Sequence, residues 1–221
     1  MKITKFAQSC ILLETKGKRI LVDPGNIQFE ESLLDEHWKD IDILLVTHKH
    51  GDHIHVPALK RIMTEKTKFY TSQEVKDAYP EISPEIVKEG DLIELDDIKI
   101  EVTKAVHGFL PHLKGGKEIN ENIGFIIDDG EKRYYFTSDS ICFDNDYKCD
   151  VVFVPVCNHG LVMGSFEAAA FSKKLGVSLV IPVHYDNPSY PVSLDKVREE
   201  FSKLDLNLKV LGIGESLKVL D

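Results

Sequence analysis

The feature that most constrains this chain is an apolar run that ends in four potential metal ligands. Residues 44–46 are Leu-Leu-Val, and the six positions that start at residue 48 hold His48, His50, Asp52 and His53. Residues two apart in an extended chain point to the same side, so His48 and His50 can converge on one ion. The glycine that follows lets the backbone turn, which directs Asp52 and His53 towards a second ion. Imidazole and carboxylate ligands together favour a borderline divalent metal such as zinc.

The same residues also have an ordinary structural explanation. His-x-His is common by itself, and Asp52 could instead cap a helix that begins near Pro57. A loop this dense in polar groups is nevertheless costly at the end of a buried strand unless something binds it. The cluster as a whole therefore favours a metal site.

Length and composition set the context for this site. The chain has 221 residues, of which 43% are hydrophobic and 29% charged, which is typical of a globular protein and excludes disorder or a coiled coil throughout. We expect a single domain over residues 1–221. The 27 Lys and Arg against 37 Asp and Glu give a net charge of −10. Such a surface repels phosphate backbones, so we do not expect nucleic-acid binding.

The cysteines and the amino terminus indicate the compartment. No Cys-x-x-Cys or disulfide framework occurs, which predicts reduced thiols and a cytoplasmic protein. Residues 1–6 alternate polar and apolar, without the apolar core of a secretory signal. The longest apolar run covers only 151–157, whereas a spanning helix needs about 20 residues, so we expect no membrane insertion. The sequence leaves a homo-oligomer open.

Short apolar or alternating runs that end at turn residues predict a chain rich in β-strands. The expected strands are 3–6, 11–15, 19–22, 43–46, 68–70, 98–106, 122–128, 134–138, 151–155, 179–183, 208–211 and 217–220, with tight turns at 16–18 and 128–130. The expected helices are 57–63, 166–175 and 194–204. Hairpin strands come first along the chain, and a strand–helix–strand unit comes late. This order predicts an α+β fold with two facing sheets flanked by helices, a four-layer αββα sandwich.

Residues 47–53 read Thr-His-x-His-x-Asp-His, and this motif resembles the signature of the metallo-β-lactamase superfamily of metal-dependent hydrolases. Other landmarks of that superfamily appear in the expected order over almost the whole chain, one before this motif and three after it. They are Asp23 after Ile-Leu-Val, His107 after Ala-Val, Asp139 within Phe-Thr-Ser-Asp-Ser, and His184 after Ile-Pro-Val. The resemblance implies the metallo-β-lactamase fold and a hydrolase that depends on metal.

The resemblance also implies a role for each landmark residue. It assigns His48, His50 and His107 to one metal ion, Asp52, His53 and His184 to another, Asp139 to both, and to Asp23 the orientation of the metal loop. The expected ions are two Zn²⁺, with Mn²⁺ or Fe²⁺ as alternatives. A metal-bound hydroxide would attack the substrate, and Asp52 would orient the water or carry its proton.

Within the superfamily, the chain is most similar to compact members related to ascorbate-phosphate lactonase and to the phospholipase D-like branch. Residues 9–10, 21–24 and 122–125 carry this similarity, while Ala7-Gln8 and Ser138-Asp139-Ser140 depart from it. Two ions, two carboxylates and a hydroxide leave about one positive charge, which favours an anionic substrate. We therefore predict hydrolysis of a small ester, lactone or phosphodiester. A nuclease of the same superfamily and a non-catalytic metal-binding protein are the alternatives.

Two further histidines and one cysteine need interpretation. His112 competes with His107 as a ligand, but His107 directly follows a predicted strand and is favoured. His159 follows the strand at 151–155, where Gly160 permits a close turn, so it is a candidate to contact the substrate or donate a proton. A plain loop histidine is the alternative. Cys157 reads as a small buried residue and not a nucleophile, because no activating partner is visible in the sequence.

Overall fold

Two mixed β-sheets, each with its own helices, make up the computed structural model, which describes residues 1–108 and 119–219. The strands are β1 (Lys2–Lys5), β2 (Ile11–Thr15), β3 (Lys18–Val22), β4 (Ile43–Leu45), β5 (Lys68–Thr71), β6 (Glu85–Ile86), β7 (Leu92–Leu95), β8 (Ile98–Lys104), β9 (Ile123–Asp128), β10 (Arg133–Phe136), β11 (Val151–Pro155), β12 (Leu179–Val183) and β13 (Ser216–Lys218). The helices are α1 (Ser32–Glu36), α2 (Val56–Ile62), α3 (Gln73–Ala78), α4 (Ser165–Leu175) and α5 (Leu194–Ser202).

The chain divides into two compact units, Met1–Lys88 with Leu211–Asp221 and Glu89–Val210. Each sheet lies within one unit, and each unit carries helices as well. A single domain over residues 1–221 stays a prediction.

The first unit contains a seven-stranded sheet in the order β13-β1-β2-β3-β4-β5-β6. Its first part is antiparallel, and the pairs from β3 to β6 are parallel, with α1, α2 and α3 as the crossovers. The predicted turn between β2 and β3 is confirmed. Lys16 and Gly17 both have positive φ, 47° and 71°, as a two-residue turn of the type that matches strand twist requires.

The second unit contains a six-stranded sheet in the order β12-β11-β10-β9-β8-β7. Strands β7 to β10 pair antiparallel, and β10, β11 and β12 are parallel. Helix α4 connects β11 to β12 and ends at Gly176, whose φ of 69° provides the left-handed cap that the sequence indicated. At α5 the predicted cap is also present, since Ser193 accepts a hydrogen bond from the Lys196 backbone.

The structure corrects the prediction at several short elements. Residues 208–211 are not a strand, because only Leu208 bridges, to Val180 in β12. Helices α1 and α3 and strands β6 and β7 were not predicted. Each is only two to six residues long, too short to show a full hydrophobic period. The predicted strand at 217–220 is shorter and begins earlier, as β13, and its last position lies outside the described residues.

In the part of the chain that the structure describes, no helix combines the length and apolarity needed to cross a bilayer. The cytoplasmic location stays a prediction.

A close backbone approach in the first unit joins the turn after β3 to the loop after β4. The backbone N–H of Asp23 donates to Leu45 O at 2.9 Å, and that of Asn26 donates to Gly51 O at 2.8 Å. A Cβ atom on Gly25 would lie 1.8 Å from the Asp52 carbonyl oxygen. Only glycine therefore permits the two segments to pack at this distance.

Replacing Gly25 by alanine tests this contact. Because the added methyl group meets backbone atoms, the two segments must separate, and we expect Gly25→Ala to lower the free energy of unfolding by about 1–3 kcal/mol in urea denaturation. Gly212→Ala is the matched control, since its Cβ would lie 3.7 Å from Glu215 Oε2, an ordinary contact. Equal stability of the two variants would contradict the close approach.

Candidate metal centre

Asp23 is the hydrogen-bonding centre of the ligand loop in the first unit. It follows β3, is 1% exposed and has a φ of 50°. Its Oδ1 accepts the Thr47 backbone N–H at 2.8 Å. Its Oδ2 lies 2.8 Å from both Thr47 Oγ1 and His53 Nδ1 and accepts from each. One buried carboxylate thus fixes the backbone at the start of the loop and a side chain at its end.

These contacts determine which nitrogen of each imidazole can bind a metal. A carboxylate only accepts, so the Nδ1 of His53 carries the proton and its Nε2 has the lone pair. The Thr47 hydroxyl gives its proton to Asp23 and so accepts from His48 Nδ1, 3.1 Å away. The lone pair of His48 is therefore also on Nε2. Hydrogen bonds of this kind are made by the outer nitrogen, the ring nitrogen that does not bind the metal. They fix the orientation of a metal-binding histidine and raise the basicity of its other nitrogen.

The first two histidines are spaced as ligands of one ion. His48 Nε2 and His50 Nδ1 are 3.2 Å apart. Two nitrogens bound to a tetrahedral zinc at about 2.0–2.1 Å would be roughly 3.3 Å apart. The side chains of His48 and His50 thus lie close together, and their binding of one ion stays a prediction.

Asp52 and His53 lie side by side, with 3.8 Å between Asp52 Oδ2 and His53 Nε2. Gln8 Nε2 donates to the same carboxylate oxygen at 3.2 Å. Asp52 does not cap helix α2, whose N-cap is His55 and which has no side-chain cap. The structural alternative for Asp52 is therefore wrong, and the Gln8 contact was not predicted.

Lys49, between the first two histidines, points away from them. Its side chain forms an ion pair with Glu74 of α3, and the Tyr79 hydroxyl donates to its carbonyl at 2.9 Å. Burial, followed by the nearby acidic Glu81 and Asp52, raises the pKa of Tyr79, which keeps the phenol protonated and able to donate. The ligand loop is thus stabilised by contacts with α3 and its C-terminal cap, Tyr79, and the sequence did not predict this helix.

In the second unit, Asp139 lies between two histidines. His107 follows β8 and His184 follows β12, and their Nε2 atoms lie 3.6 and 3.1 Å from Asp139 Oδ2. His107 Nδ1 donates to the Gly108 carbonyl at 2.5 Å, which again leaves the lone pair on Nε2. One carboxylate oxygen thus faces two imidazoles. His112 lies outside the described residues.

Asn122 holds the backbone around Asp139. Its Nδ2 donates to the Asp139 carbonyl at 2.7 Å, and its Oδ1 accepts from Ser138 Oγ at 2.6 Å. Ser138 has a φ of 60°, a strained conformation that these two bonds stabilise. The sequence analysis gave Asn122 no such role, although residues 122–125 are among those that carry the similarity to compact members of the superfamily.

Cys157 lies beside His184 because β11 and β12 are parallel and end together. Pro155 is paired with Val183, and Val156 donates to the Val183 carbonyl at 2.9 Å. The potential ligand atoms of Cys157, His159 and His184 lie within 4.8 Å of one another. Cys157 is 1% exposed, as predicted.

The expectation that Cys157 has no activating partner is wrong. Burial raises the pKa of its thiol, but hydrogen bonds with the His159 and His184 side chains and with the His159 backbone lower it more, to about 6. The two-residue spacing of Cys157 and His159 at a strand end is the same signal that identified His48 and His50. The sequence therefore contains a signal that Cys157 and His159 lie on the same side of the chain.

His159 differs from the ligand histidines in its protonation. Its Nδ1 accepts the Leu161 backbone N–H at 3.1 Å, so the neutral ring carries its proton on Nε2. Its ring centroid lies 5.9 Å from that of His184 and 5.0 Å from that of Tyr190. The predicted turn at Gly160 is present, with a φ of 78°. In this form His159 can donate a hydrogen bond through Nε2.

Comparisons with known proteins agree with this chemistry. A model of the beta-lactamase superfamily domain matches residues 2–184. A UPF0173 metal-dependent hydrolase of Korarchaeum cryptofilum is 28% identical over 235 residues, covering 99% of this chain and 100% of the relative. Another from Salinibacter ruber is 29% identical over 227 residues, covering 98% and 99%.

Solved structures show the same fold. Igni18, a metallo hydrolase from Ignicoccus hospitalis, gives a TM-score of 0.80 at 22% identity, covering 98% of this chain and 97% of its own. The metallo-beta-lactamase fold protein YhfI of Bacillus subtilis gives 0.79 at 17% identity, covering 98% of each. The predicted α+β class with the metallo-β-lactamase fold is confirmed.

Replacing Asp23 by asparagine tests its control of the imidazoles. The amide offers one acceptor where the carboxylate serves three donors, so His48 and His53 lose their fixed orientation and protonation. We expect Asp23→Asn to weaken zinc binding by about 10- to 100-fold, measured by competition with a chromogenic chelator.

Asp42→Asn is the matched control for this prediction. Asp42 also accepts a backbone N–H, from Arg19 at the other end of β3, at 2.8 Å. Its replacement should leave zinc affinity unchanged. If the two variants bound zinc equally well, Asp23 would not have the role described.

Proposed function

Because the chain belongs to the metallo-β-lactamase superfamily and is a metal-dependent hydrolase, we propose that it cleaves a small anionic ester, lactone or phosphodiester with two bound divalent ions. The observation that carries the proposal is the protonation of the ligand histidines. Asp23, Thr47 and the Gly108 carbonyl each accept the Nδ1 proton of one imidazole, of His53, His48 and His107 respectively, so the lone pair of each ring is on Nε2.

The proposed ligands are those that the resemblance implied. His48, His50 and His107 would hold one ion, Asp52, His53 and His184 the other, and Asp139 both. The donor set of imidazoles and carboxylates fits zinc, and manganese or iron are the alternatives. Ligand pairs at 3.1 to 3.6 Å within each unit support the assignment.

When bound, the ions would lower the pKa of water to about 7 and stabilise the negative charge that develops on the substrate. Asp52 would accept the proton of the attacking water, and Gln8 fixes the carboxylate for that task. His159 would donate its Nε2 proton to an oxygen of the substrate, since Leu161 selects that form of the ring. Asp52 would therefore act as the general base and His159 as the proton donor.

A double substitution tests the metal-dependent reaction. His48→Ala with Asp52→Asn removes one ligand and the proposed base. We expect loss of bound zinc, measured by mass spectrometry, and a decrease of about 10²- to 10⁴-fold in kcat. The substrates are bis(p-nitrophenyl) phosphate, p-nitrophenyl acetate and a simple lactone, with single-stranded RNA as the probe for nuclease activity.

His37→Ala with Asp40→Asn is the control, because His37 is half-buried, Asp40 is exposed, and asparagine tolerates the positive φ of residue 40. Turnover that survives the ligand substitutions would refute the mechanism. Cleavage of RNA alone would favour the nuclease, and bound metal without any turnover would favour a metal-binding protein.

The role of His159 gives a separate prediction. His159→Ala should keep the bound zinc but lower kcat by about 10²-fold or more, because the donor is lost while the ligands stay. His159→Gln, which retains a donor N–H, should recover part of the rate. Unchanged kcat and KM in the alanine variant would show that His159 is an ordinary loop residue.

A further inference from the structure

The first unit contains a cavity that the proposed mechanism does not use. Its volume is about 130 Å³, and aromatic and aliphatic side chains make up most of its lining. The lining residues come from the turn between β1 and β2, the segment between β3 and α1, α1 and the segments after it, all within this unit. Small-molecule sites in proteins are usually concave and mostly apolar in this way.

Three aromatic rings give the cavity preformed walls. Trp38 is 2% exposed, and its ring centroid lies 5.6 Å from that of Phe6, edge to face, and 5.7 Å from that of Phe29. Leu33 of α1 is partly buried against the same apolar core. Because these side chains pack on one another, the shape of the cavity is set without a ligand.

The size and charge of the cavity limit what can enter it. An apolar cavity of about 150 Å³ is enough to bind benzene, so this one has room for a group of about one ring. Two exposed residues, Glu30 and Ile213, line it on the solvent side. The Glu30 carboxylate disfavours an anion at this entrance, whereas Ile213 adds apolar surface. The cavity therefore fits a compact, uncharged, apolar group.

The cavity lies next to the ligand loop of the same unit. Gly25 lines it and packs so tightly on Asp52 that a Cβ atom would lie 1.8 Å from the Asp52 carbonyl oxygen. Ala7 also lines it, and the next residue, Gln8, donates to Asp52 Oδ2 at 3.2 Å. A group held in the cavity is thus placed beside the residue that we propose as the general base.

We propose that this cavity binds an apolar group of the substrate while the bond to be cleaved lies at Asp52. The inference rests on the proposed function, because it assigns Asp52 a substrate to act on. It narrows the substrate class to molecules that carry a phenyl-sized ring or a branched alkyl group close to the cleaved bond. Any negative charge of the substrate then lies away from Glu30, on the side of the metal ligands.

Fluorescence tests whether the cavity binds such a group, because Trp38 is the one tryptophan of the chain. Benzyl alcohol, which is neutral and has a single ring, should change the emission of the purified protein and reach saturation. Ala7→Leu enlarges a lining side chain and should remove most of this response. Ala78→Leu is the matched control at an exposed position of α3, and it should respond as the unaltered protein does.

Ester hydrolysis by the zinc-loaded protein tests whether the cavity serves the reaction. Methyl phenylacetate carries a ring beside the cleaved bond and methyl acetate does not, and acid release from each is followed in a pH-stat. The unaltered protein should prefer the phenylacetate. In Ala7→Leu the ratio of the two kcat/KM values should fall by about 10- to 100-fold, through the KM for the phenylacetate. Ala78→Leu should keep the ratio.

Three results would overturn the proposal: a response to benzyl alcohol that does not saturate, a full response in Ala7→Leu, or an unchanged ratio in that variant. If Ala7→Leu does not fold, Leu33→Ala decides, since it enlarges the cavity and should admit 2-naphthylmethanol, which the unaltered protein excludes. No such gain would also overturn the proposal. If neither ester is hydrolysed, the ester reaction of the proposed function is contradicted, and the fluorescence titration still decides whether the cavity binds a ring.

Discussion

The structure of the candidate site depends on the burial of one carboxylate. Asp23 is shielded from water together with His53, and a buried charge is costly unless hydrogen bonds satisfy it. Here three donors do so, one from the backbone and two from side chains. Because β3 and β4 are adjacent and parallel, the carboxylate stands at the start of the loop after β4. The same bonds that stabilise the charge hold the loop in one conformation and set the protonation of two imidazoles.

The histidines thus fall into two sets that differ in the hydrogen-bond partner of the outer nitrogen. Where the outer nitrogen meets an oxygen acceptor, as in His48, His53 and His107, the ring can bind a metal through Nε2. Where it meets a backbone N–H, as in His159, Nε2 becomes a donor. The residue type is the same in both groups, so the hydrogen-bond partner of Nδ1, a side chain or a backbone group 2.5 to 3.1 Å away, decides the chemistry of the ring.

Much of the fold and of the candidate site could be predicted from the sequence because both follow from local patterns. Strands β2, β11 and β12 have the predicted bounds, since continuous apolar runs mark buried strands. The ligands follow such runs directly. Partners that come from distant parts of the chain carry no local signal, and Gln8 on Asp52 and Asn122 on Asp139 are examples. The protonation of His159 likewise depends on a backbone N–H whose position only the folded turn determines.

Substrate choice is a property of loops and not of the strands that carry the ligands. Contacts that join the loops after β11 and β12 include the edge-to-face packing of His159 and Tyr190 and a hydrogen bond of 2.9 Å from Asn158 Nδ2 to the Pro191 carbonyl. Tyr190 is 47% exposed, so its ring is available to a bound molecule. A change in either loop would move the His159 donor relative to His184 without altering a ligand. One metal-binding scaffold can therefore serve different substrates through these segments.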